Sequence, residues 1–203
     1  MTKVPYVTFM KHAQKVTKTA SKSRPILGAV IHREDYVAVT DSHRLYKAKD
    51  IYEGTEKQID PTTGLEVDNG NYPDVERLIQ DYSDATHVFN IDVTHAYEAV
   101  RAIEIASRVN KATTDMNLVV GFDHIELKTD VRAGLDVSYK AETSTSIVDL
   151  DTVILDIKYV KEAIHVLKDA KIEKFSLEYY GRTRPIQIRT DNFIALILPK
   201  RQI

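Results

Sequence analysis

RPILGAVIHREDYVAVTDSHRL, residues 24–45, decides how this chain folds. Ile26, Leu27, Ala29, Val30 and Ile31 make an apolar, β-favouring run. Glu34 and Asp35 supply turn chemistry, and Tyr36, Val37 and Val39 resume the apolar pattern. That order predicts two short strands joined by a tight turn. Thr40-Asp41-Ser42-His43 predicts a second turn, because Asp and Ser side chains bond the backbone two residues on. Arg44 and Leu45 then open a third strand, extended by Tyr46 to Asp50.

On the carboxy-terminal side, residues 51–71 are weakly patterned and punctuated by Gly54, Pro61, Gly64 and Gly70. A loop of that length is unusual in a compact domain, so a short strand is expected at Glu56–Asp60 or Leu65–Val67. Pro73 holds Tyr72 extended. Residues 80–87, QDYSDATH, are polar and fit a linker, which divides the chain into domains at 1–82 and 83–203. On the amino-terminal side, residues 7–22 predict an amphipathic helix. Phe9, Met10, Ala13, Val16, Thr17 and Ala20 share one side, and Lys11, Lys15, Lys18 and Lys22 share the other.

An internal repeat organises the remainder. Phe89, Ile91, Asp92, Val93, Glu98, Ala99 and Val100 align with Val153, Leu155, Asp156, Ile157, Glu162, Ala163 and Ile164 at an offset of 64 residues. Each copy reads strand, helix, then two or three strands. These lie near Leu118–Phe122, Ile125–Thr129 and Leu135–Tyr139 in one copy, and Phe175–Tyr179, Pro185–Arg189 and Phe193–Leu198 in the other. The opening segment follows the same plan, with a Thr-Asp turn at 40–41 matching the one at 129–130. Three copies of an α-β-β-β unit predict an α+β fold with antiparallel sheets on one side and helices on the other.

Charge is distributed unevenly. The chain carries 28 Lys and Arg against 30 Asp and Glu, which argues against a generic nucleic-acid binder. Yet the first helix has only lysines outward, and the helix near 157–170 gathers Lys158, Lys161, His165 and Lys168, flanked by Glu162 and Asp169. The helix near 94–109 is mixed, with Arg101 and Arg108 beside Glu98 and Glu104. Lys11, Lys15, Lys18, Lys22, Arg101, Arg108, Lys158, Lys161 and Lys168 are therefore the candidate DNA-facing residues.

Other classes fit poorly. Cysteine is absent, so disulfides and thiolate metal sites are excluded. No signal-peptide core or membrane-length apolar run occurs, so a soluble, cytoplasmic protein with no membrane partner is expected. The seven histidines show no metal-ligand spacing, and no metal or cofactor is expected. Ser42 and His43 are neighbours on an extended segment and point opposite ways, so they make no nucleophile–base pair. No enzymatic activity is expected.

Three ordered motifs resemble the bacterial sliding clamp, the β subunit of DNA polymerase III. They are Thr40-Asp41-Ser42-His43-Arg44-Leu45, Tyr72-Pro73-Asp74 with Arg77-Leu78, and the Leu196-Ile197-Leu198-Pro199-Lys200-Arg201 ending, which departs from the family's final Leu at Gln202-Ile203. The resemblance implies a shortened form of that family's middle and last domains, with its first domain and the helix expected between Asp50 and Asn71 missing. In the family, helices line a hole through which duplex DNA slides, held by phosphate contacts that read no sequence. The family also binds partner peptides in an apolar pocket. By position, that pocket would use Ile26, Thr40, Ser42, His43, Arg44, Leu45, Pro73, Arg77 and Leu78, closed by Pro185, Leu196, Leu198 and Pro199. The implied function is a replication processivity factor that contacts duplex DNA and tethers a polymerase through its clamp-binding peptide. The competing reading is a non-ring module that captures such peptides as decoy, adaptor or regulator. A homo-oligomer could close a ring, but closure does not carry over, because the family's ring uses the missing domain.

Overall fold

The computed structural model describes residues 2–20, 24–68, 70–109, 113–121, 124–142 and 151–201. Helix α1 (Tyr6–Thr17) starts after Pro5, whose carbonyl accepts the first helical bond from Phe9. Strands β1 (Val30–His32), β2 (Tyr36–Thr40), β3 (Arg44–Lys49) and β4 (Lys57–Ile59) follow. The second unit is β5 (His87–Asp92), α2 (Val93–Val109), β6 (Asp115–Val120), β7 (His124–Thr129) and β8 (Ser138–Glu142). The third is β9 (Asp151–Asp156), α3 (Ile157–Asp169), β10 (Lys174–Tyr179), β11 (Ile186–Arg189) and β12 (Phe193–Ile197).

Two antiparallel sheets result, ordered β4-β1-β2-β3-β12-β11-β10-β5 and β8-β7-β6-β9. The strand before each repeat helix joins the other unit's sheet: β5 pairs with β10, and β9 with β6. Repeat-equivalent aspartates start both helices. Asp92 accepts from the amide of His95 at 2.8 Å and Asp156 from that of Lys158 at 2.9 Å, satisfying orphan helix donors.

The first sheet joins the opening unit to the last along β3 and β12, with Leu45 opposite Leu196 and Tyr46 opposite Ala195. Side chains alternate across this seam. Val37, Val39, Tyr46, Ala48, Phe193 and Ala195 join the main core with Phe9 of α1. Ile31, Ala38, Leu45 and Leu196 face the opposite way and are covered by Leu27, Tyr72 and Val75. Both faces are buried, so β2, β3 and β12 read as nearly continuous burial instead of alternation. Residues 79–80 are fastened to the outer face of β11. The Gln187 side chain accepts from the Gln80 amide at 2.9 Å and donates to the Gln80 carbonyl at 3.1 Å.

Three sequence expectations shift. Residues Pro25–Gly28 form a 3₁₀ turn, because Pro25 fixes φ and lacks the N–H a strand would use, so β1 starts only at Val30. Helix α1 stops at Thr17, where the Thr19 hydroxyl bonds the Val16 carbonyl, so Lys18 caps the helix from outside it. Leu135 precedes β8, since Val131–Ala133 forms a 3₁₀ turn closed by left-handed Gly134 at φ 68°. Lys22, Phe122, Gln202 and Ile203 lie outside the described residues.

Candidate peptide groove and helix layer

The turn between β2 and β3 builds one wall of a groove. Asp41 Oδ1 accepts from the amides of His43 and Arg44, both at 3.0 Å, and the Thr40 hydroxyl donates to the Arg44 carbonyl at 2.7 Å. Ser42 takes positive φ, 74°, at the apex. The Tyr72 hydroxyl accepts from the Thr40 amide at 3.1 Å, which seats the 72–78 segment beside the turn. The chain's last segment joins when the Leu198 amide donates to the His43 carbonyl at 2.9 Å.

Two adjoining cavities lie over this frame. One, about 430 Å³, is lined by Arg24, Ile26, Leu27, Thr40, Ser42, Pro73 and Leu78. The other, about 130 Å³, adds His43, Arg44, Leu45, Pro185, Leu196 and Leu198. Thr40, Ser42 and Leu78 line both, so the two form one bent apolar trough, partly open to solvent at Leu78 (48% exposed) and Leu198 (39%). Its size and mix of aliphatic wall and sparse polar groups suit an apolar peptide anchor.

The sequence-derived pocket residues divide accordingly. Ile26, Thr40, Ser42, His43, Leu45, Pro73, Leu78, Pro185, Leu196 and Leu198 come together. Arg77 does not line the trough; it is exposed and paired with Asp74 at 2.9 Å. Pro199 lines a different cavity with Ile154, Arg182 and Lys200. Arg44 borders the trough, but its guanidinium turns into the protein. Arg24 and Leu27 were absent from the resemblance-derived set, although the apolar run at 26–31 already marked Leu27.

Arg44 is a structural tie between the turn and the helices. Its side chain is fully buried, paired with Asp41 at 3.2 Å and with Glu162 of α3, and it donates to the Lys15 carbonyl of α1 at 3.3 Å. The guanidinium also lies 4.6 Å from the Tyr159 ring centre. Burial opposes its charge, but Tyr46, Glu162 and Asp41 outweigh that and raise its pKa. His43 stacks on Tyr159 with ring centres 6.1 Å apart. The trough's back wall is thereby fixed to α1 and α3.

The helices form a row with α3 in contact with both α2 and α1. Together they carry seven Lys and Arg against four acids. Packing brings many of these charges into pairs. Lys161 bonds both Glu104 oxygens at 2.7 Å, Lys168 bonds Glu98 at 2.6 Å, and Lys11 bonds Asp169 at 2.7 Å. Arg101 pairs with Glu98 at 2.9 Å and Arg108 with Glu104 at 2.7 Å. Lys168 also lies 4.2 Å from the Tyr97 ring centre. Among the described residues, Lys15, Lys18 and Lys158 make no ion pair. The outward basic face of α3 is thus substantially an interhelical ion-pair network.

His12, on the apolar side of α1, is a residue the sequence pattern did not single out. It is buried and bonds Asp169 at 2.8 Å, while His165 approaches the same carboxylate at 3.3 Å. Burial pushes the His12 imidazole down to about 4, against the pull of Asp169. Burial also opposes the charge on Asp169, yet hydrogen bonds from Lys11 and His12 hold its carboxyl at about 2. No cluster of three His, Asp or Glu among the described residues is arranged to hold a metal ion. No described helix is long and apolar enough to cross a membrane.

No family model matches the sequence, and no curated protein sequence matches it. Solved structures do match. The β subunit of DNA polymerase from Streptococcus pyogenes superposes with a TM-score of 0.75 at 17% identity, over 97% of this chain and 64% of that one. The DNA polymerase sliding clamp of Bacillus subtilis gives 0.74 at 21%, over 97% and 63%. The Helicobacter pylori β clamp bound to a DNA ligase peptide gives 0.74 at 13%, over 97% and 63%. The chain has the fold of the bacterial DNA polymerase III β-subunit sliding clamps and spans about 64% of their length.

Proposed function

We propose that this chain is a non-enzymatic, clamp-like accessory protein of DNA replication that anchors partner peptides in the trough between Thr40–Leu45 and Leu196–Leu198. The observation that carries this is the trough itself. Ten of the residues chosen by position, from three separate stretches of sequence, surround one apolar depression. The Helicobacter clamp of the same fold holds a DNA ligase peptide. Leu78 and Leu198 are the solvent-facing aliphatic contacts, with Arg24 and His43 as polar rim. In this reading the helix row contacts duplex DNA through phosphates, and the bound peptide tethers a polymerase or another partner.

A second reading is favoured by the interhelical ion pairs: a module that captures clamp-binding peptides without encircling DNA. Lys161 and Lys168 are already engaged by Glu104 and Glu98, which reduces the charge offered to phosphate. Both readings share the trough and differ in DNA retention.

The test is fluorescence anisotropy with a labelled polymerase-tail peptide, alongside retention on circular and linear duplex DNA. Leu78→Ala and Leu198→Ala should together weaken peptide binding about tenfold or more, with stability changed by roughly 0.5 kcal/mol or less per site. No peptide binding by the wild-type chain would refute the assignment. Peptide binding without DNA retention would select the second reading.

A further inference from the structure

The residue at the trough's outer lip has little packing of its own. Leu78 lines both halves of the trough, yet it is 48% exposed and ends the 3₁₀ turn Glu76–Leu78, in which no residue is buried. Val75, just before the turn, is buried in the cluster that holds Tyr72 and Leu196, whereas Ile79, just after it, is only half-buried against that cluster. Apolar contact therefore fixes the start of the turn more firmly than its end.

The end is held by a polar contact from β11. Gln187 is fully buried, and its carboxamide accepts from the Gln80 amide at 2.9 Å and donates to the Gln80 carbonyl at 3.1 Å. One side chain thus meets both backbone groups of one residue, taking the place of a neighbouring strand. The carboxamide cannot turn over without loss. Glu178, its register partner on β10, is also fully buried and accepts from the same nitrogen at 2.8 Å, and a carboxylate offers no donor. Tyr180 donates to Glu178 at 2.7 Å, and Arg189 pairs with Glu178 and reaches the Gln80 carbonyl at 3.3 Å. The Gln80 side chain then crosses to the facing wall and donates to the carbonyl of Pro185, which lines the trough, at 3.3 Å.

We propose that Gln187 is a positioning residue for peptide binding: by holding the Gln80 backbone, it sets Leu78 in the trough wall before a peptide arrives. Gln187 does not itself line the trough and acts through Leu78. This deepens the function proposed above and rests on it. A wall residue already in place spares the complex the ordering of a surface segment, which otherwise weakens association. The residue type matters. Glutamate would leave the Gln80 carbonyl without this donor and set a second carboxylate against Glu178, and methionine, of similar length, offers neither donor nor comparable acceptor.

The labelled-peptide titration tests this through a double-mutant cycle. Gln187→Met should weaken binding roughly threefold to fivefold, but by less than about twofold in a Leu78→Ala background, because its effect passes through that side chain. A purely structural loss would be additive. Gln80→Pro deletes the donated amide and leaves β11 untouched, and Ile79 at φ −82° and ψ 124° suits a following proline. It should weaken binding by a similar factor, which keeps the test decisive if Gln187→Met folds poorly. In Gln187→Met the Gln80 amide should also exchange its hydrogen about tenfold faster, with the amides of β10, β11 and β12 unchanged. Undiminished affinity in either variant, full additivity with Leu78→Ala, or an unaltered Gln80 exchange rate would overturn the inference and leave the trough assignment standing. Absence of peptide binding by the unmodified chain would instead overturn that assignment, and this inference with it.

Discussion

Replacing Arg44 with Met should be among the most damaging single changes available in this chain. The guanidinium is fully buried, as is Asp41, and Glu162 is 13% exposed, so its loss strands two carboxylates in a poorly solvated site. Breaking a buried pair in this way costs about 3–5 kcal/mol. For a chain of this size each kcal/mol lowers the melting temperature by roughly 2–4 °C, so a drop of roughly 6–20 °C is expected. Thermal and urea unfolding followed by circular dichroism measure it. Arg44→Lys should recover only part, because an ammonium cannot reach Asp41, Glu162 and the Lys15 carbonyl together. Combining Arg44→Met with Asp41→Asn and Glu162→Gln should recover more than Lys does. The stranded charges disappear, while the side-chain amide introduced by Asp41→Asn still offers an oxygen to the turn. A loss below about 1 kcal/mol for Arg44→Met, or no recovery in the triple variant, would refute the account of Arg44 as the tie between turn and helices.

Acid stability follows from two buried histidines. His12 and His32 are each held at about 4, chiefly by burial, against 6.5 for a free ring. Between those values the unfolded chain takes up protons the folded chain refuses, so stability falls as pH drops from 6.5 to 4 and no further from this source below it. On the order of 3 kcal/mol per histidine is at stake, and the His12→Gln, His32→Gln variant should flatten that stretch of a urea-midpoint-versus-pH plot. If DNA is bound through the helix-row lysines that make no ion pair among the described residues, Lys15, Lys18 and Lys158, the log–log salt slope should be about −3. The eight described helix-row cations acting together would give about −7. Filter binding over a salt series separates the two, and Lys→Gln at 15, 18 and 158 should abolish retention.

Much of this was readable from the residues themselves. Period-two patterning and Asx chemistry located β2, the 40–43 turn and β3, because both act within a few residues. The offset between Phe89 and Val153 located both repeat helices and the aspartates that start them. The trough's residues were chosen by position in three motifs and at Ile26 and Pro185, and two of its walls meet because Leu45 and Leu196 are register partners. What escaped depends on neighbours distant in the chain. Lys161 and Lys168 look solvated on a helical wheel, and only the packing of α2 against α3 supplies Glu104 and Glu98. His12 looks polar until α3 covers it. Arg44 reads as a rim residue, yet α1 and α3 bring partners that make an inward guanidinium favourable.

The exchange of β5 and β9 between the two repeat units has its own outcome for how the protein is made. Ile91 must meet Phe175, and Leu155 must meet Met116, before either sheet is complete. Each half holds hostage a piece of the other, so condensation has to await synthesis of nearly the whole carboxy-terminal region. Such distant pairings slow acquisition of the native state. Once formed, the two halves are expected to come apart in a single event.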